Sequence, residues 1–498
     1  MSETTTTLLP DHDSEGSPDK RPRVEWRDVG RKVTNSTTVT TILAIFLALF
    51  ISALLIIAVD SEVQRTAHYL GARPWDFFHA VGASVGNAYS SLFTGAVVDF
   101  SATTTAGFFE PLTNTISFAV PLIFAGLALG MGFRAGLFNI GAQGQIILGA
   151  IFCGWIGFTF HLPPALHLLL CLIGAFLGGA IWGFIPGILK AKTGANEVIV
   201  TIMLNSIALL LLGWLLGNRD DLFHFRSPGS IYPVSPRVNS SAQFPQLFGS
   251  NIDLGFLLVL IAAVGVWWLM ERSTLGFRIR AVGENPDAGR TAGMNVAASY
   301  VWVMVIGGGL AGLAATSQLL SLGSPTLNGD IAATLGFDAI TVALLGRSRP
   351  LGTVLAGLLF GGLRAGSYVM RTATKTPVDI ILILQSIIVL LIAAPPLVRA
   401  IFHLPDPERR RKRQIRKQQR DLKQEEQQLE ATPLLTYDPE NIQQEYPPLE
   451  YPPSEEPTTS ADTKRHKKKP TKKVLKSPTF GEPKDSAPPT TSDKEVTS

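Results

Sequence analysis

The chain has 498 residues, 46% of them hydrophobic and only 16% charged, against about 25% charged in an average soluble protein. Forty-three Lys and Arg against 39 Asp and Glu leave a net charge of +4, too small an excess to indicate a nucleic-acid partner. Long apolar runs fill the middle, while roughly the last hundred residues hold close to half of all charges, so a single water-soluble domain is excluded and a membrane protein with polar tails is indicated.

In chain order, residues 1–39 form a leader rich in Thr, Asp and Ser with Lys20, Arg21, Arg23, Arg27, Arg31 and Lys32, read as a disordered cytoplasmic tail. The run Ile42 to Val59 is longer than a signal-peptide core and lacks a small-residue cleavage site, so it reads as a retained first span. Further spans are expected over 116–132, 145–160, 166–189, 197–217, 254–270, 297–321, 335–346, 351–370 and 379–401. The fold class expected is therefore an all-α polytopic membrane protein of about ten transmembrane helices, with a membrane domain over 40–402. Arg134, Lys190, Lys192, Arg272, Arg278, Arg280, Arg290, Arg347, Arg349 and Arg399 fall on the same side as the leader if the spans alternate, which puts both termini in the cytoplasm. Glycines recur four apart, as at Gly174 and Gly178 or Gly308 and Gly312, the spacing that lets helix backbones approach closely in lipid. Residues 403–498 form a basic, Pro-rich cytoplasmic tail. A charged helix is expected over Arg409 to Glu430 and disorder beyond it, with contact to anionic membrane lipids open to the basic residues beside the last span.

Catalytic signatures are missing from the sequence. No Gly-Lys dipeptide occurs, so there is no phosphate-binding loop. The eight His residues are scattered; His161 and His167 flank a Pro-Pro turn and read as interfacial. Cys153 and Cys171 lie inside apolar runs and read as packing residues, with no disulfide framework and no metal site.

Polar residues inside apolar surroundings are the stronger signal. FRAGLFNIGAQGQ, Phe133 to Gln145, sets Phe138, Asn139 and Gln143 in a glycine-broken stretch between two spans; such backbone is tolerated at membrane depth only where protein or a water-filled cavity covers it. GANEVIVTIMLN places Asn196 and Glu197 at a helix start with Asn205 about two turns deeper. Asp338 lies near another helix start and Arg364 within the ninth span. Amides on irregular backbone and ionisable groups in the membrane are functional-site candidates, so Asn139, Gln143, Asn196, Glu197, Asn205, Asp338 and Arg364 are taken as candidates for a substrate path, which Phe138 joins only on the family resemblance given below. In ERSTLGFRIRAVGENPDAGRTAGMN, Asn285 is expected to cap a short helix, with Pro286 at its first position, Asp287 in its first turn and Gly293 stopping it. That cytoplasmic knob suits docking of a partner.

FRAGLFNIGAQGQ, ANEVIVTIMLN and LGFRIRAVGENPDAGRTAGMN, with GFDAITVALLGRSRPLGTVLAGLLFGGLRAG after them, resemble the hallmark sequences of ATP-binding-cassette (ABC) importer permeases of the nucleoside and simple-sugar type, related to the ribose and branched-chain amino-acid permeases. The resemblance covers roughly residues 40–402. It implies a permease pair, a heterodimer by the form of the first motif, with ATP and Mg2+ used by two cytosolic ATPase subunits, no cofactor held by this chain, and an extracytoplasmic solute-binding lipoprotein delivering substrate. It also implies that Arg278, Arg280, Glu284, Asn285, Pro286, Ala288 and Gly289 lie in or beside the helix that couples to the ATPase. Function is thus expected to be nucleoside or simple-sugar import across the cell membrane by alternating access. A stand-alone ion-coupled transporter, which makes no use of the capped loop, and a polytopic membrane enzyme, against which the missing catalytic clusters argue, are the competing readings.

Overall fold

The computed structural model describes residues 37–217, 225–247, 251–321, 326–374, 379–403, 415–416 and 418–424. The expected disorder of the leader and of most of the C-terminal tail lies outside these residues. The chain divides into one unit up to Arg416 and a second from Lys417; in the second, residues 418–424 are helical, within the stretch where a charged helix is expected. Among the described residues the architecture is helical, relieved by a short 3-10 turn at Ser240–Ala242 and one isolated bridge between Gln246 and Asp253.

The helices of the first unit are α1 Thr37–Val59, α2 Ser61–Ala67, α3 Pro74–Ala96, α4 Thr105–Arg134, α5 Ala142–Thr159, α6 Pro164–Thr193, α7 Glu197–Gly217, α8 Leu254–Arg272, α9 Thr274–Glu284, α10 Pro286–Thr291, α11 Val296–Leu319, α12 Leu335–Leu345, α13 Pro350–Thr374, α14 Asp379–Ala393 and α15 Pro395–Ile401. Nine of the ten expected spans coincide with a single helix, and eight of the described helices (α1, α4 to α8, α11 and α13) are long and apolar enough to cross a membrane. The expected helix over 379–401 is broken at Ala394 (φ −116°, ψ 67°). Pro395 and Pro396 follow it; a proline bars the preceding residue from helical geometry and offers no N–H to the turn before.

Three helices, α2, α3 and α9, have no counterpart among the expected elements. α3 carries Asp76, His79, Asn87 and several serines, too polar to register as a span. It packs antiparallel to the second half of α13, with Leu92 against Gly366 and Ala96 near Gly362. α9 precedes the expected capped knob and is started by Ser273, whose hydroxyl accepts from Gly276 N at 2.9 Å.

α4, α5, α6 and α11 form the centre, with α12 and α13 against α4. The glycine pairs explain the closeness of α6 and α11: a Cβ on Gly179 would collide with the Gly308 carbonyl, and one on Gly312 with the Ala175 carbonyl. Gly149 on α5 meets Gly312 on the opposite side. A second, smaller apolar cluster joins α1 to α3, α13, α14 and α15 through Ala48, Ile56, Leu92, Leu384 and Val398. Cys153 and Cys171 are buried free thiols. His167 is buried and not interfacial: its ring nitrogens reach Ser241 Oγ at 2.8 Å and the Ile156 carbonyl at 3.1 Å, pinning the 3-10 turn to the end of α5.

Candidate functional site

The stretch between α4 and α5 does not continue as helix. Gly136 (φ +71°) turns the chain against the carbonyl of Gly283, and residues 137–141 run as irregular backbone before α5 begins at Ala142. Its polar groups are satisfied locally, as backbone at membrane depth requires. Asn139 Oδ1 accepts from Gly141 N at 2.8 Å, and its Nδ2 donates to Gln145 Oε1 at 3.2 Å; Asn139 is 2% and Gln145 1% exposed. Asn205 on α7 spans the turn, donating to the Ile140 carbonyl at 2.9 Å and accepting from Gly144 N at 2.8 Å. Thr201, one turn earlier, accepts from Ile140 N at 3.3 Å. Asn139 and Asn205 thus form an amide lock on the broken segment.

Phe138, Asn196 and Glu197 lie nearer the end of the bundle that carries α9 and α10. Glu197 pairs with Lys190 at 2.8 Å and accepts weakly from Phe138 N at 3.5 Å. Asn196 is exposed and accepts from Val198 N at 3.0 Å, opening α7. Phe138 stacks on Phe133 with centroids 5.0 Å apart.

Gln143 belongs to a different group. α12 has 11 residues, about 16 Å of helix, or half of a hydrocarbon core of about 30 Å. It ends at Gly346, and the turn after it lies against Gly130 near the foot of α4 through Ser348. Its first residues therefore sit near the middle of the membrane layer. There Gly336 packs on the Gln143 backbone, Gln143 Nε2 donates to the Ala333 carbonyl at 3.1 Å, and Asp338 pairs with Arg364 of α13. Thr334 completes the group: its hydroxyl donates to Asp338 Oδ2 at 2.8 Å and accepts from Arg364 at 2.7 Å. Ala333 holds φ +35°, a region sparsely occupied by residues with a Cβ. Thr334 is exposed, and Gln143, Asp338 and Arg364 are half-buried, so this group borders open space at a depth where charge is costly. Thr334 was not among the sequence candidates; a lone Thr in an apolar stretch carries no signal of its own.

At the end of α4 and α8, Glu271 accepts from Arg134 at 2.7 Å and from Arg280 at 2.9 Å. Arg280 is therefore a brace that holds α9 to the membrane helices, while Arg278 and Glu284 are exposed. Gly283 lets α9 close on the Arg134 carbonyl. Asn285 caps α10 by accepting from Asp287 N and Ala288 N, both at 3.0 Å, with Pro286 at the first position. Gly293 (φ +77°) follows the end of the helix. Gly289 is buried against Val282, and Ala288 faces outward. Beside this knob lies a cavity of about 690 Å³ lined in part by Glu271, Phe277, Arg278 and Arg280.

Helices interrupted by protein-covered irregular segments, polar groups gathered at mid-depth and a rigid capped knob beyond one end define a membrane transport permease. The chain belongs to the family described as branched-chain amino acid transport system, permease component, which matches residues 111–393. It is similar to the guanosine ABC transporter permease protein NupP of Bacillus subtilis (strain 168), 37% identical over 325 residues covering 64% of this chain and 89% of the relative. It is 34% identical to the glucose ABC transporter permease protein TsgB13 of Haloferax volcanii, covering 56% of this chain and 75% of the relative. It is 31% identical to the nucleoside ABC transporter permease protein NupB of Lactococcus lactis subsp. cremoris (strain MG1363), covering 61% and 82%. In each of the two bacteria with nucleoside-type relatives a second named permease also matches, NupQ and NupC respectively. No solved structure matches.

The chain is thus the permease subunit of an ABC importer, a multi-pass membrane protein and a transport component, not an enzyme. Permeases of this kind work with ATPase and solute-binding partners, so the competing readings of an ion-coupled transporter and a membrane enzyme fall away.

Proposed function

We propose that this chain carries nucleosides through the cell membrane as one half of a heterodimeric permease, crossing about ten times with both termini in the cytoplasm. The observation that carries the reading is the meeting of Gln143, Asp338 and Arg364 with Thr334 at the half-way start of α12, polar and bordering open space. Amides and hydroxyls of that kind both donate and accept, which suits ribose hydroxyls and base edges. In this reading Gln143, Asp338 and Arg364 line the path; Asn139 and Asn205 hold the broken segment in place, and Phe138, Asn196 and Glu197 stand at its cytoplasmic mouth. Nucleoside specificity is supported by the names of the Bacillus and Lactococcus relatives, and the heterodimer by their paired permeases.

Two ATPase subunits bind ATP and Mg2+, and this chain holds no cofactor. Arg278, Glu284, Asn285, Pro286, Ala288 and Gly289 form the docking knob, with Arg280 bracing it. Closure of the ATPase pair moves the knob, and the bundle alternates between outward and inward access; the solute shifts that equilibrium only by binding the two states unequally. A solute-binding lipoprotein delivers the nucleoside at the outer face.

The test is uptake of labelled guanosine by cells holding the complete transporter, against a strain deleted for this chain. Uptake lost on deletion, competed by unlabelled nucleosides and not by glucose or ribose, is the expected result. Guanosine uptake that survives deletion, with sugar uptake lost in its place, overturns the nucleoside assignment.

A further inference from the structure

A cavity of about 630 Å³ opens between α3, α4 and α13 at the end of the bundle opposite the α9–α10 knob, the outer end in the topology proposed above. Its volume is that of a small-molecule site. Glu110, Asn114 and Phe118 line it from α4, and a spacing of four residues puts all three on one face of that helix. Phe118 side-chain atoms lean toward the start of α4 and those of Tyr368 toward the start of α13, because helical side chains tilt to the N-terminus. The two rings meet as a stacked pair, centroids 5.6 Å apart and planes within 13°, at about the depth of Arg364, one turn before Tyr368. The aromatic pair is the floor of the cavity, and Tyr368 is 59% exposed.

The chemistry of the walls is selective. None of the lining residues is basic. Asp99 uses one oxygen on Ser101, Oδ1 accepting from its N at 2.8 Å and its Oγ at 2.6 Å. Asn114 accepts from Asn251 at 2.8 Å and keeps its own N–H groups for other acceptors. Glu110 has no side-chain partner among the described residues, so its carboxylate is an unused double acceptor. From Phe118 to Glu110 the helix rises about 12 Å, so floor, amide and carboxylate are spread over the length of a nucleoside.

We infer that this cavity is an outer acceptance site for a ribonucleoside: the base stacks on the Phe118–Tyr368 floor, Asn114 meets its edge, and Glu110 accepts from the two vicinal ribose hydroxyls. A carboxylate is the usual acceptor for a ribose diol, and the same carboxylates repel a phosphorylated nucleotide. The inference rests on the nucleoside reading given above.

The experiment measures half-saturating concentrations for guanosine and 2′-deoxyguanosine uptake in cells with the complete transporter, membrane abundance being matched by immunoblot. Wild type is expected to favour guanosine, with guanosine monophosphate failing to compete. Tyr368→Leu should raise the half-saturating concentration of both nucleosides about tenfold, and Tyr368→Phe, which keeps the ring, should restore them. Glu110→Gln should weaken guanosine alone and abolish the preference over the deoxynucleoside. Unchanged values in Tyr368→Leu and Glu110→Gln, with guanosine still carried by wild type, overturn this site and leave the nucleoside reading standing. Loss of the second permease from the purified complex in either variant, with half-saturation unchanged, also overturns it and marks a subunit contact. A wild-type transporter that carries sugars and no nucleoside overturns both.

Discussion

At the scale of single residues, the polar side chains of the membrane layer divide by what their hydrogen bonds leave free. Asn205 uses both ends of its amide on backbone groups of the broken segment, the Gly144 N–H and the Ile140 carbonyl. Asn205→Ala leaves two part-buried backbone groups without their partner, at about 1–3 kcal/mol each. The expected outcome is a clearly lower unfolding midpoint in detergent, read by differential scanning fluorimetry. Gln143 donates once, to a carbonyl of the exposed Ala333 that water can satisfy instead. Gln143→Ala should therefore keep the wild-type midpoint while raising the half-saturating nucleoside concentration. A fall in midpoint for Gln143→Ala as large as that for Asn205→Ala would make Gln143 a second lock and not a path residue. Both residues are amides in the polar motifs of the sequence, and only the structure separates the one that holds the backbone from the one that borders the cavity.

At the scale of elements, the braced knob carries the mechanical argument. Glu271 ties α8 to α4 through Arg134 and to α9 through Arg280, so a push on α10 is passed to two membrane helices at once. Charge reversal at Arg280 would set a carboxylate beside Glu271 and release α9; Glu284→Ala removes an exposed carboxylate of the proposed docking knob. Both variants should insert normally and retain ATP hydrolysis in the assembled complex, with uptake per ATP reduced about tenfold, within the usual range of coupling energies. Wild-type uptake in both would reject the coupling role. The knob was legible because a cap, a first-position proline and a terminal glycine sit within a few residues of one another. α9 was not, since TLGFRIRAVGE mixes charge and apolar residues without the length of a span. α3 escaped for a related reason: its apolar residues face α13 and α1, and its polar ones dilute the run. The pairing of Asp338 with Arg364 spans 26 residues and depends on how far α12 reaches, which no local pattern encodes. The glycine spacings pointed to close packing without saying which helices meet; Gly179 against Gly308 and Gly312 is a tertiary fact.

For the molecule as a whole, every described group assigned to the path, the outer cavity or the knob lies between Ser91 and Ala373. Val398 on α15 is different: it is fully buried in the cluster that joins α1 to α14, so the limit of what the bundle needs falls just past Ile401. A chain cut after Pro405 keeps that cluster and should import nucleosides at close to the wild-type rate at equal membrane abundance. A cut before Pro395 removes Val398 together with its helix, uncovers apolar surface of α1, and should lower both abundance and melting temperature. Uptake lost in the first truncation, with abundance and melting unchanged, would assign the basic tail an active part, such as holding anionic lipid or the ATPase at the cytoplasmic face.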